Sequence, residues 1–407
     1  MRTRADRLVV VAGVVSLAVL LPAVILALVL AGVGFASGTE GAARNEAVPS
    51  FGPLVEAKGA APRPRSSGGA PRPSPVPGRP SRVLGSKPFQ VRVPRPSDLG
   101  HDVKQQGKQP SLPGGGFVGA DDGAVITRVV RVGAFQFDFS VASPALGAVV
   151  WTRVIVPRGW EARRAWPVVY AYHGGNNDYT SWTKDSDIAR VAASSGAMVV
   201  MPEGGWNGLY ANWWNGGRGG VPKWEDFHIK EVIPLMERNF RAGTSRAAIG
   251  VSSGGLGAVT YAERHPGVFR YVASYSGALN ITAPGMPLVL TLVNGTDVWG
   301  DPFLDRENWR AHDAAVMVAR LRGVGVYVSS GDGRPGPYDA PDTPPWDGGR
   351  IGEQISGGMN GGFVRAAGEA GVPVTAHLYG PGMHNWKYWR RELALSWPAL
   401  TAAVGAR

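Results

Sequence analysis

Two adjacent serines lie among glycines in the stretch AIGVSSGGLG, and one of them has the spacing of a nucleophile. The pattern Gly-x-Ser-x-Gly fits only around Ser252, because centring it on Ser253 would put Val251 where a glycine is needed. In this pattern the serine occupies a tight turn between a strand and a helix. The apolar run RAAIGV precedes Ser252 and the helix-compatible GLGAVTYAERH follows it, so the sequence predicts Ser252 as a nucleophile.

A serine hydroxyl needs a base to take its proton, and that base is commonly a histidine oriented by an acid. Three histidines follow the serine at a useful distance. His312 lies in a helical pattern and is predicted at the surface. His377 lies within the apolar run VTAHLY, which favours a structural role. His384 lies in GPGMHNW, after the last predicted strand, and is the predicted base.

The acid is left open by the residues alone. Asp332 directly follows the predicted strand VGVYVSSG, and Asp297 comes one strand earlier in NGTDVWG. Asp339 and Glu353 are assigned to the long Pro/Gly-rich loop that follows. All four come after the serine and before His384, which is the order Ser, acid, His of α/β-hydrolases.

An oxyanion hole requires two backbone N–H groups near the nucleophile. One normally belongs to the residue after the nucleophile, here Ser253, and the other to the loop after the third strand. The sequence YAYHGGNND is in that position, so Gly175 is the predicted second donor.

Regular patterning begins near residue 125 and continues to the end of the chain. AFQFDFSVAS and GAVVWTRVIVP alternate as an antiparallel pair does, and short apolar runs then alternate with helical patterns. The predicted strands are PVVYAYHGG, AMVVMPEGG, AAIGVSSGG, YVASYSGA, LVLTLVNG, VGVYVSSGDG and VTAHLYGPG. This order predicts one α/β domain over residues 125–407, with a mostly parallel sheet covered by helices on both faces.

Two segments of different composition precede this domain. Residues 1–36 contain a long apolar run after three arginines, which predicts a single membrane-spanning helix with a cytoplasmic N-terminus, or a signal peptide if it is cleaved. Residues 37–124 are rich in Pro, Gly, Ser and Arg and predict a disordered linker. The catalytic domain is therefore expected outside the cytoplasm, at the cell membrane or secreted.

The charge of +11 is concentrated in the linker, where residues 59–110 hold ten Lys or Arg and two acids. This excess is expected to attract anionic envelope polymers rather than nucleic acid, because the rest of the chain is close to neutral. The chain contains no cysteine, which excludes disulfides and thiolate metal sites. We expect neither a metal nor an organic cofactor.

The sequence resembles the esterase D family of α/β-hydrolases, and within it the actinobacterial mycolyltransferases of the antigen 85 type. The resemblance covers residues 140–400 and is carried by VVMPEGGWNGLYANWWNGG, KWEDFHIKEVIPLME, AAIGVSSGGLGAV and GPGMHNWKYW. It implies the α/β-hydrolase fold, with Ser252 as nucleophile and His384 as base. It also favours Glu353 as the acid, with Asp332 and Asp339 in reserve, and places the second oxyanion donor at Gly175.

The sequence departs from the mycolyltransferases next to the predicted oxyanion hole. They carry Asp-Gly-Leu-Arg there, whose Asp and Arg contribute to trehalose recognition, where this chain has His-Gly-Gly-Asn. The cysteine pair of their Trp/Tyr-rich loop is also replaced, by NGGRGG. Four side chains are predicted to bind substrate: His173, Asn176, Trp214 and Trp386.

The expected function is an extracytoplasmic serine esterase or acyltransferase that forms an acyl-enzyme on an ester, lipid or acyl-sugar substrate. The alternatives are mycolyltransferase-like acyl transfer to a sugar, and a non-catalytic surface module that retains the fold for binding.

Overall fold

The computed structural model describes residues 55–56, 116–162 and 165–406. The predicted membrane anchor at residues 1–36, and all but a few residues of the predicted linker, lie outside these ranges. None of the helices in the described part of the chain is both long enough and apolar enough to cross a bilayer.

Ten strands form one mixed sheet in the order β1-β10-β9-β8-β7-β5-β6-β4-β3-β2. Strands β5 to β10 run parallel to one another, and β2, β3 and β4 extend one side of the sheet as an antiparallel meander. The strands are β1 Val55–Glu56, β2 Val125–Gly133, β3 Gln136–Ser143, β4 Ala148–Ile155, β5 Trp166–Tyr172, β6 Met198–Pro202, β7 Ala242–Val251, β8 Tyr271–Tyr275, β9 Gly325–Ser330 and β10 Thr375–Leu378.

Helices connect the parallel strands and cover both faces of the sheet. They are α1 Ser181–Asp185, α2 Ile188–Ala193, α3 Trp224–Asp226, α4 Ile233–Asn239, α5 Ser253–Arg264, α6 Met286–Asn294, α7 Arg306–Arg310, α8 Ala314–Met317, α9 Gly348–Glu369 and α10 Trp386–Val404. A π-helical turn, Phe227–Val232, joins α3 to α4, and short 3₁₀ turns lie at Trp160–Ala162, Asn215–Gly217 and Val318–Leu321.

Alternation along the strands divides the core between the two faces of the sheet. In β5, Val168 and Tyr170 pack into a core that contains residues of α5 and α9, whereas Val169 and Ala171 pack into a core that contains residues of α1, α2 and α10. Strands buried on both faces are nearly continuous apolar runs, which is how these strands appear in the sequence. The α/β architecture and the mostly parallel sheet are thereby confirmed.

Three expectations about local structure are wrong. The run LVLTLVNG is the helix α6 rather than a strand, and Pro287 occupies its first turn, where a missing N–H costs nothing. His312 is buried rather than at the surface, and its Nδ1 bonds to the Asn308 carbonyl at 2.8 Å. Glu353 lies in the second turn of α9, not in a loop.

The described chain also folds before the expected domain start at residue 125. Ala120 and Ala124 are buried in the core, and Val118 exchanges hydrogen bonds of 2.8 and 2.9 Å with Asn239 of α4. Within the segment expected to be linker, β1 pairs antiparallel with β10.

Gly254 allows helix α5, which follows Ser252, to approach strand β5. A Cβ at this position would overlap the backbone carbonyl oxygens of Tyr172 and His173, which cannot move without shifting the end of the strand. The glycine two residues after the serine is therefore required by packing, and the close approach fixes the position of Ser252 relative to the end of β5.

We expect Gly254→Ala to lower the free energy of unfolding by about 1–3 kcal/mol, as overpacking of a buried site does. Gly358→Ala is the matched control, since its Cβ would meet open space on an exposed turn of α9. Because alanine is favoured over glycine in a helix, that control should be stabilised by up to about 1 kcal/mol. Denaturant titrations of both variants give the comparison, and equal stability of the two would contradict the packing role.

Candidate active site

Ser252 occupies the turn between β7 and α5 in a strained backbone conformation. Its φ is 54° and its ψ is −124°, a combination that residues with a side chain rarely adopt. Its N–H donates to the Tyr275 carbonyl at 2.9 Å, and its carbonyl accepts from Gly255 at 2.9 Å within the first turn of α5. The strain is sustained by bonds on both sides and leaves the residue half-exposed. This geometry is that of a nucleophile elbow.

His384 and Glu353 form a hydrogen-bonded pair at the carboxyl ends of the parallel strands, the edge of the sheet where Ser252 also lies. The His384 Nδ1 lies 2.8 Å from Glu353 Oε2. The His384 backbone N–H also donates to Gly349 of α9 at 2.9 Å, so the loop that carries the histidine is bound to the helix that carries the acid. A carboxylate acceptor at Nδ1 favours the tautomer of the neutral imidazole that carries its proton there, and in this tautomer Nε2 can accept a proton.

Glu353 is fully buried, and its second oxygen is held by groups at the ends of β8 and β9. Oε1 accepts from Ser276 at 2.8 Å, from Gly331 N–H at 2.6 Å and from Ser330 at 3.1 Å. Burial raises the pKa of the carboxyl, but the bonds from His384, Gly331 and Ser276 outweigh burial and hold the pKa below its ordinary value. The group is therefore an anion at neutral pH, as an orienting acid must be.

Trp389 contacts both His384 and Ser276, the residue that donates to Glu353. Its indole N–H donates to Ser276 Oγ at 3.0 Å, and its ring packs edge-on against the His384 imidazole with centroids 5.0 Å apart. Ser276 in turn donates to Glu353, so Trp389 contacts His384 directly and is linked to Glu353 through the Ser276 hydroxyl. This arrangement assigns Trp389 to positioning the histidine and the carboxylate relative to each other.

We expect Trp389→Phe to lower kcat by roughly 2- to 10-fold, because it removes one hydrogen bond of about 0.5–1.5 kcal/mol while keeping a ring against His384. The KM should stay unchanged, since Trp389 is buried. Trp397→Phe is the control: this tryptophan is also buried in α10, and its indole N–H has no partner among the described residues. A loss of kcat in both variants alike would point to general destabilisation instead.

The predicted oxyanion donors lie next to each other. A Cβ on Gly174 would lie 3.4 Å from Ser252 Cβ, and one on Gly175 would lie 3.7 Å from Ser253 Oγ. The Ser253 N–H is the first of α5, and N–H groups at a helix start have no partner within the helix. The structure thus brings the loop that contains Gly174 and Gly175 against Ser252 and Ser253.

The side chains predicted to bind substrate lie at different depths. His173 is buried, with Nδ1 bonded to the Gly174 carbonyl at 2.8 Å and Nε2 to the Gly204 N–H at 2.7 Å. Both ring nitrogens are bonded to backbone groups. This side chain therefore supports the loop that contains Gly174 and Gly175 rather than presenting a surface to substrate. Asn176 is exposed and accepts from the indole of Trp206, which is itself 76% exposed.

The two other predicted aromatic contacts are half-buried. Trp214 folds back over its own loop, where a Cβ on Gly217 would lie 3.6 Å from its ring. Trp386 packs edge-on between Trp182 and Trp389, at 5.1 and 5.2 Å between ring centroids. Trp386 is thus continuous with the aromatic packing behind His384.

Two of the alternative acids and the alternative base bond to other groups, and the third acid is exposed. Asp332 pairs with Arg334 at 2.6 Å, and Asp339 accepts from Asn385 at 3.1 Å and from Tyr388. Asp297 is exposed. His377 forms its own pair with the buried Glu392 at 2.8 Å. Of the candidates weighed from the sequence, Glu353 is the one that bonds to His384.

Sequence reasoning missed the residues that hold the acid. Ser276, Ser330 and Gly331 all lie where a parallel strand ends, and the polar residues at those positions were the available signal. Ser276 has a φ of 53°, a backbone feature that the sequence does not reveal. Within the described ranges no group of three or more His, Asp or Glu residues is arranged to hold a metal ion.

The fold, the strained turn at Ser252 and the buried Glu353–His384 pair are those of a serine hydrolase of the α/β-hydrolase class. Residues 143–400 match a family model described as "Putative esterase", and the chain belongs to this family.

Curated relatives include both transferases and esterases. The chain is 29% identical over 281 residues to the diacylglycerol acyltransferase/mycolyltransferase Ag85B of Mycolicibacterium smegmatis, which covers 65% of this chain and 84% of the relative. It is 30% identical over 292 residues to Esterase Rv1288 of Mycobacterium tuberculosis, covering 67% of this chain and 60% of that protein.

Solved structures share the fold at lower identity. MPT51 (FbpC1) of Mycobacterium tuberculosis matches with a TM-score of 0.54 at 23% identity, covering 64% of this chain and 96% of that one. An S-formylglutathione hydrolase from Agrobacterium tumefaciens matches with a TM-score of 0.53 at 18% identity, covering 69% and 99%. These likenesses support the α/β-hydrolase fold and nothing finer.

Proposed function

We propose that this protein cleaves carboxylic esters through an acyl-enzyme on Ser252, with His384 as base and Glu353 as orienting acid. The observation that carries the proposal is the buried hydrogen-bonded pair of Glu353 and His384. The Glu353 carboxylate accepts from Ser276. Ser276 follows Tyr275, whose carbonyl accepts the backbone N–H of Ser252. The N–H groups of Gly175 and Ser253 form the oxyanion hole.

The reaction proceeds in two balanced steps. Ser252 Oγ attacks the ester carbonyl carbon while His384 Nε2 takes its proton, and the two N–H groups stabilise the charge that develops on the carbonyl oxygen. The carbon–oxygen bond to the alcohol then breaks, and His384 gives its proton to the leaving alcohol. Water or a second alcohol attacks the acyl-enzyme by the same route and restores the free serine.

Esterase and transferase activity differ in which acceptor reaches the acyl-enzyme. The named activity of Ag85B as an acyltransferase favours transfer to an alcohol as a second candidate. The exposed Trp206, bonded to Asn176 beside the oxyanion loop, supplies a surface on which a sugar ring could stack. Hydrolysis remains the primary proposal, because Asn176 carries no charge where the mycolyltransferase pattern has Arg.

The proposed site of action is outside the cytoplasm. The apolar run within residues 1–36, preceded by arginines, supports an uncleaved anchor or a cleaved signal, and either exports the remainder of the chain. The basic linker supports contact with anionic envelope polymers.

A substrate panel on the purified protein tests this function. The panel uses p-nitrophenyl esters of increasing acyl length, with and without trehalose or glycerol as acceptor. Release of free acid at a rate independent of acceptor supports the esterase, and acyl-trehalose or acyl-glycerol formation supports the transferase. If the folded protein turned over no ester under any condition, the alternative of a non-catalytic binding module would replace both.

A further inference from the structure

The peptide that joins Gly174 to Gly175 carries the proposed oxyanion donor on one side and an anchored carbonyl on the other. The Gly174 carbonyl accepts from His173 Nδ1 at 2.8 Å and from the Asn177 N–H at 3.1 Å. A trans peptide is planar, and its C=O and N–H point in opposite directions. Holding the Gly174 carbonyl therefore fixes the direction of the Gly175 N–H, which has no hydrogen-bond acceptor among the described residues.

The buried His173 ring bonds to the backbone through both nitrogens, which assigns its proton. Nδ1 faces the Gly174 carbonyl and carries the proton, whereas Nε2 faces the Gly204 N–H at 2.7 Å and accepts from it. Glu203 Oε1 also lies 3.3 Å from Nε2, but this oxygen accepts from the Gly205 N–H at 2.9 Å. His173 thus links the loop that follows β5 to the turn that follows β6.

A buried tyrosine anchors the preceding carbonyl. The Tyr210 hydroxyl donates to the His173 carbonyl at 2.8 Å. Its ring fits closely against two glycines, because a Cβ on Gly204 or on Gly257 would lie 2.4 Å from an atom of this tyrosine. Tyr210 also has a φ of 55°, a strained conformation that persists where the surrounding structure holds it. Buried side chains therefore hold both carbonyls that precede Gly175.

We propose that His173 is a positioning residue for the oxyanion hole, with Tyr210 anchoring its carbonyl. The Nδ1–H holds the Gly174 carbonyl and thereby aims the Gly175 N–H at the oxygen on which charge develops when Ser252 attacks. Oxyanion donors are effective because they are oriented before the reaction, so a donor that can rotate stabilises the transition state less. The inference rests on the proposed function, since it needs Gly175 as an oxyanion donor.

This anchoring is a departure from the mycolyltransferase pattern, which has an aspartate where this chain has His173. An ionised carboxylate accepts hydrogen bonds but cannot donate one, so it cannot hold the Gly174 carbonyl in the way that Nδ1–H does. The proposed role therefore depends on the donor that the imidazole supplies.

Two substitutions at position 173 of the full chain separate the Nδ1 donor from the rest of the ring. His173→Leu removes both nitrogens, whereas His173→Asn keeps an N–H near the position of Nδ1 that can donate to the Gly174 carbonyl. We expect kcat on p-nitrophenyl acetate to fall about 10- to 100-fold in His173→Leu, which is part of the loss caused by removing a whole oxyanion donor. His173→Asn should recover most of this loss. The KM should stay unchanged in both, because His173 is buried.

A trifluoromethyl ketone reports on the oxyanion hole without turnover. It forms a hemiketal with the nucleophilic serine, and the hemiketal oxyanion mimics the transition state, so its affinity should fall by the same factor as kcat/KM. Tyr210→Phe removes only the hydroxyl that bonds to the His173 carbonyl, and it should lower both values by about 2- to 10-fold.

His312→Leu is the matched control. This buried histidine also donates through Nδ1 to a carbonyl at 2.8 Å, that of Asn308, but it has no bond to the loop that contains Gly174. We expect His312→Leu to lower the free energy of unfolding in a denaturant titration and to leave kcat and ketone affinity unchanged.

The proposal is overturned if folded His173→Leu keeps the wild-type kcat and ketone affinity, or if His173→Asn loses as much as His173→Leu. An equal loss of kcat in His312→Leu also overturns it. If His173→Leu does not fold, unchanged kcat and ketone affinity in Tyr210→Phe overturn it instead. A wild-type protein that neither turns over an ester nor binds the ketone would refute the proposed function itself, and this inference with it.

Discussion

Ser252→Ala is expected to lower kcat on an activated ester by about 10⁶-fold, as removal of the nucleophile does in a serine hydrolase. The loss is large because no other group can form the acyl-enzyme, while the oxyanion N–H groups and the Glu353–His384 pair remain. The fold should be unaffected, since Ser252 is half-exposed and its backbone bonds do not involve the hydroxyl. Initial rates of p-nitrophenol release measure the change.

Ser253→Ala is the matched control for this prediction. The Ser253 hydroxyl is buried and has no hydrogen-bond partner among the described residues, so its removal leaves no group unpaired. Its backbone N–H, the proposed oxyanion donor, is retained in alanine. We expect kcat to stay within about 10-fold of wild type, because an interaction worth less than 1.4 kcal/mol changes a rate by less than that factor. If the losses in the two variants were exchanged, the nucleophile would be Ser253.

Glu353→Gln should lower kcat by about 10⁴-fold, the size of effect seen when an orienting carboxylate is replaced by an amide. The amide presents either an oxygen or an N–H to His384 Nδ1, and the N–H favours the tautomer in which Nε2 is protonated and cannot accept the serine proton. In the opposite orientation the amide oxygen faces His384, and the N–H₂ group then lies against the N–H of Gly331, which puts two donors face to face. Steady-state rates across pH values, with circular dichroism to check folding, measure the effect.

Glu392→Gln is a stringent control, because Glu392 is an equally buried carboxylate bonded to a histidine at the same 2.8 Å. Glu392 also holds Tyr327 and Arg391, so its loss should lower stability. We expect its effect on kcat to be far smaller than that of Glu353→Gln. Comparable loss of kcat in both would mean that buried His–Glu pairs matter here for stability alone.

The contribution of Glu353 to the free energy of unfolding should depend on pH in a predictable direction. Because its pKa in the folded protein lies below the ordinary value of 4.5, the anion stabilises the fold above that pH. This contribution is lost as the pH falls through the lowered pKa of the folded state. The difference in the free energy of unfolding between wild type and Glu353→Gln should therefore shrink on acidification below pH 4.5.

The sequence was sufficient to predict the sheet and the strand-to-helix turn at Ser252 because both depend on local patterns. Strands buried on both faces must be apolar along their length, and the elbow requires small residues at fixed offsets from Ser252. Each of these patterns can be recognised within a stretch of about ten residues of the sequence. The run LVLTLVNG was misassigned because an uncharged apolar run of this length fits a strand or a buried helix equally well. Only Pro287 marked the helix start.

The acid could not be derived from the residues because its selection depends on long-range packing. Helix α9 contains eight glycines, which individually cost about 1 kcal/mol in a helix and made the segment look like a loop. Some of them have a packing role: a Cβ on Gly357 would lie 2.5 Å from the Gly331 carbonyl oxygen. The helix thereby approaches β9 closely enough for Glu353 to reach the Gly331 N–H. Family resemblance, rather than residue pattern, selected Glu353 over Asp332 and Asp339.

Covalent labelling of the full chain tests the central claim most directly. The protein is treated with a fluorophosphonate, its intact mass is measured, and the modified peptide is sequenced. The proposed mechanism predicts one phosphonyl group on Ser252, absent from Ser252→Ala and formed much more slowly in Glu353→Gln. A folded wild-type protein that acquires no label, or that carries the label on another residue, would contradict the assignment of Ser252 as the nucleophile.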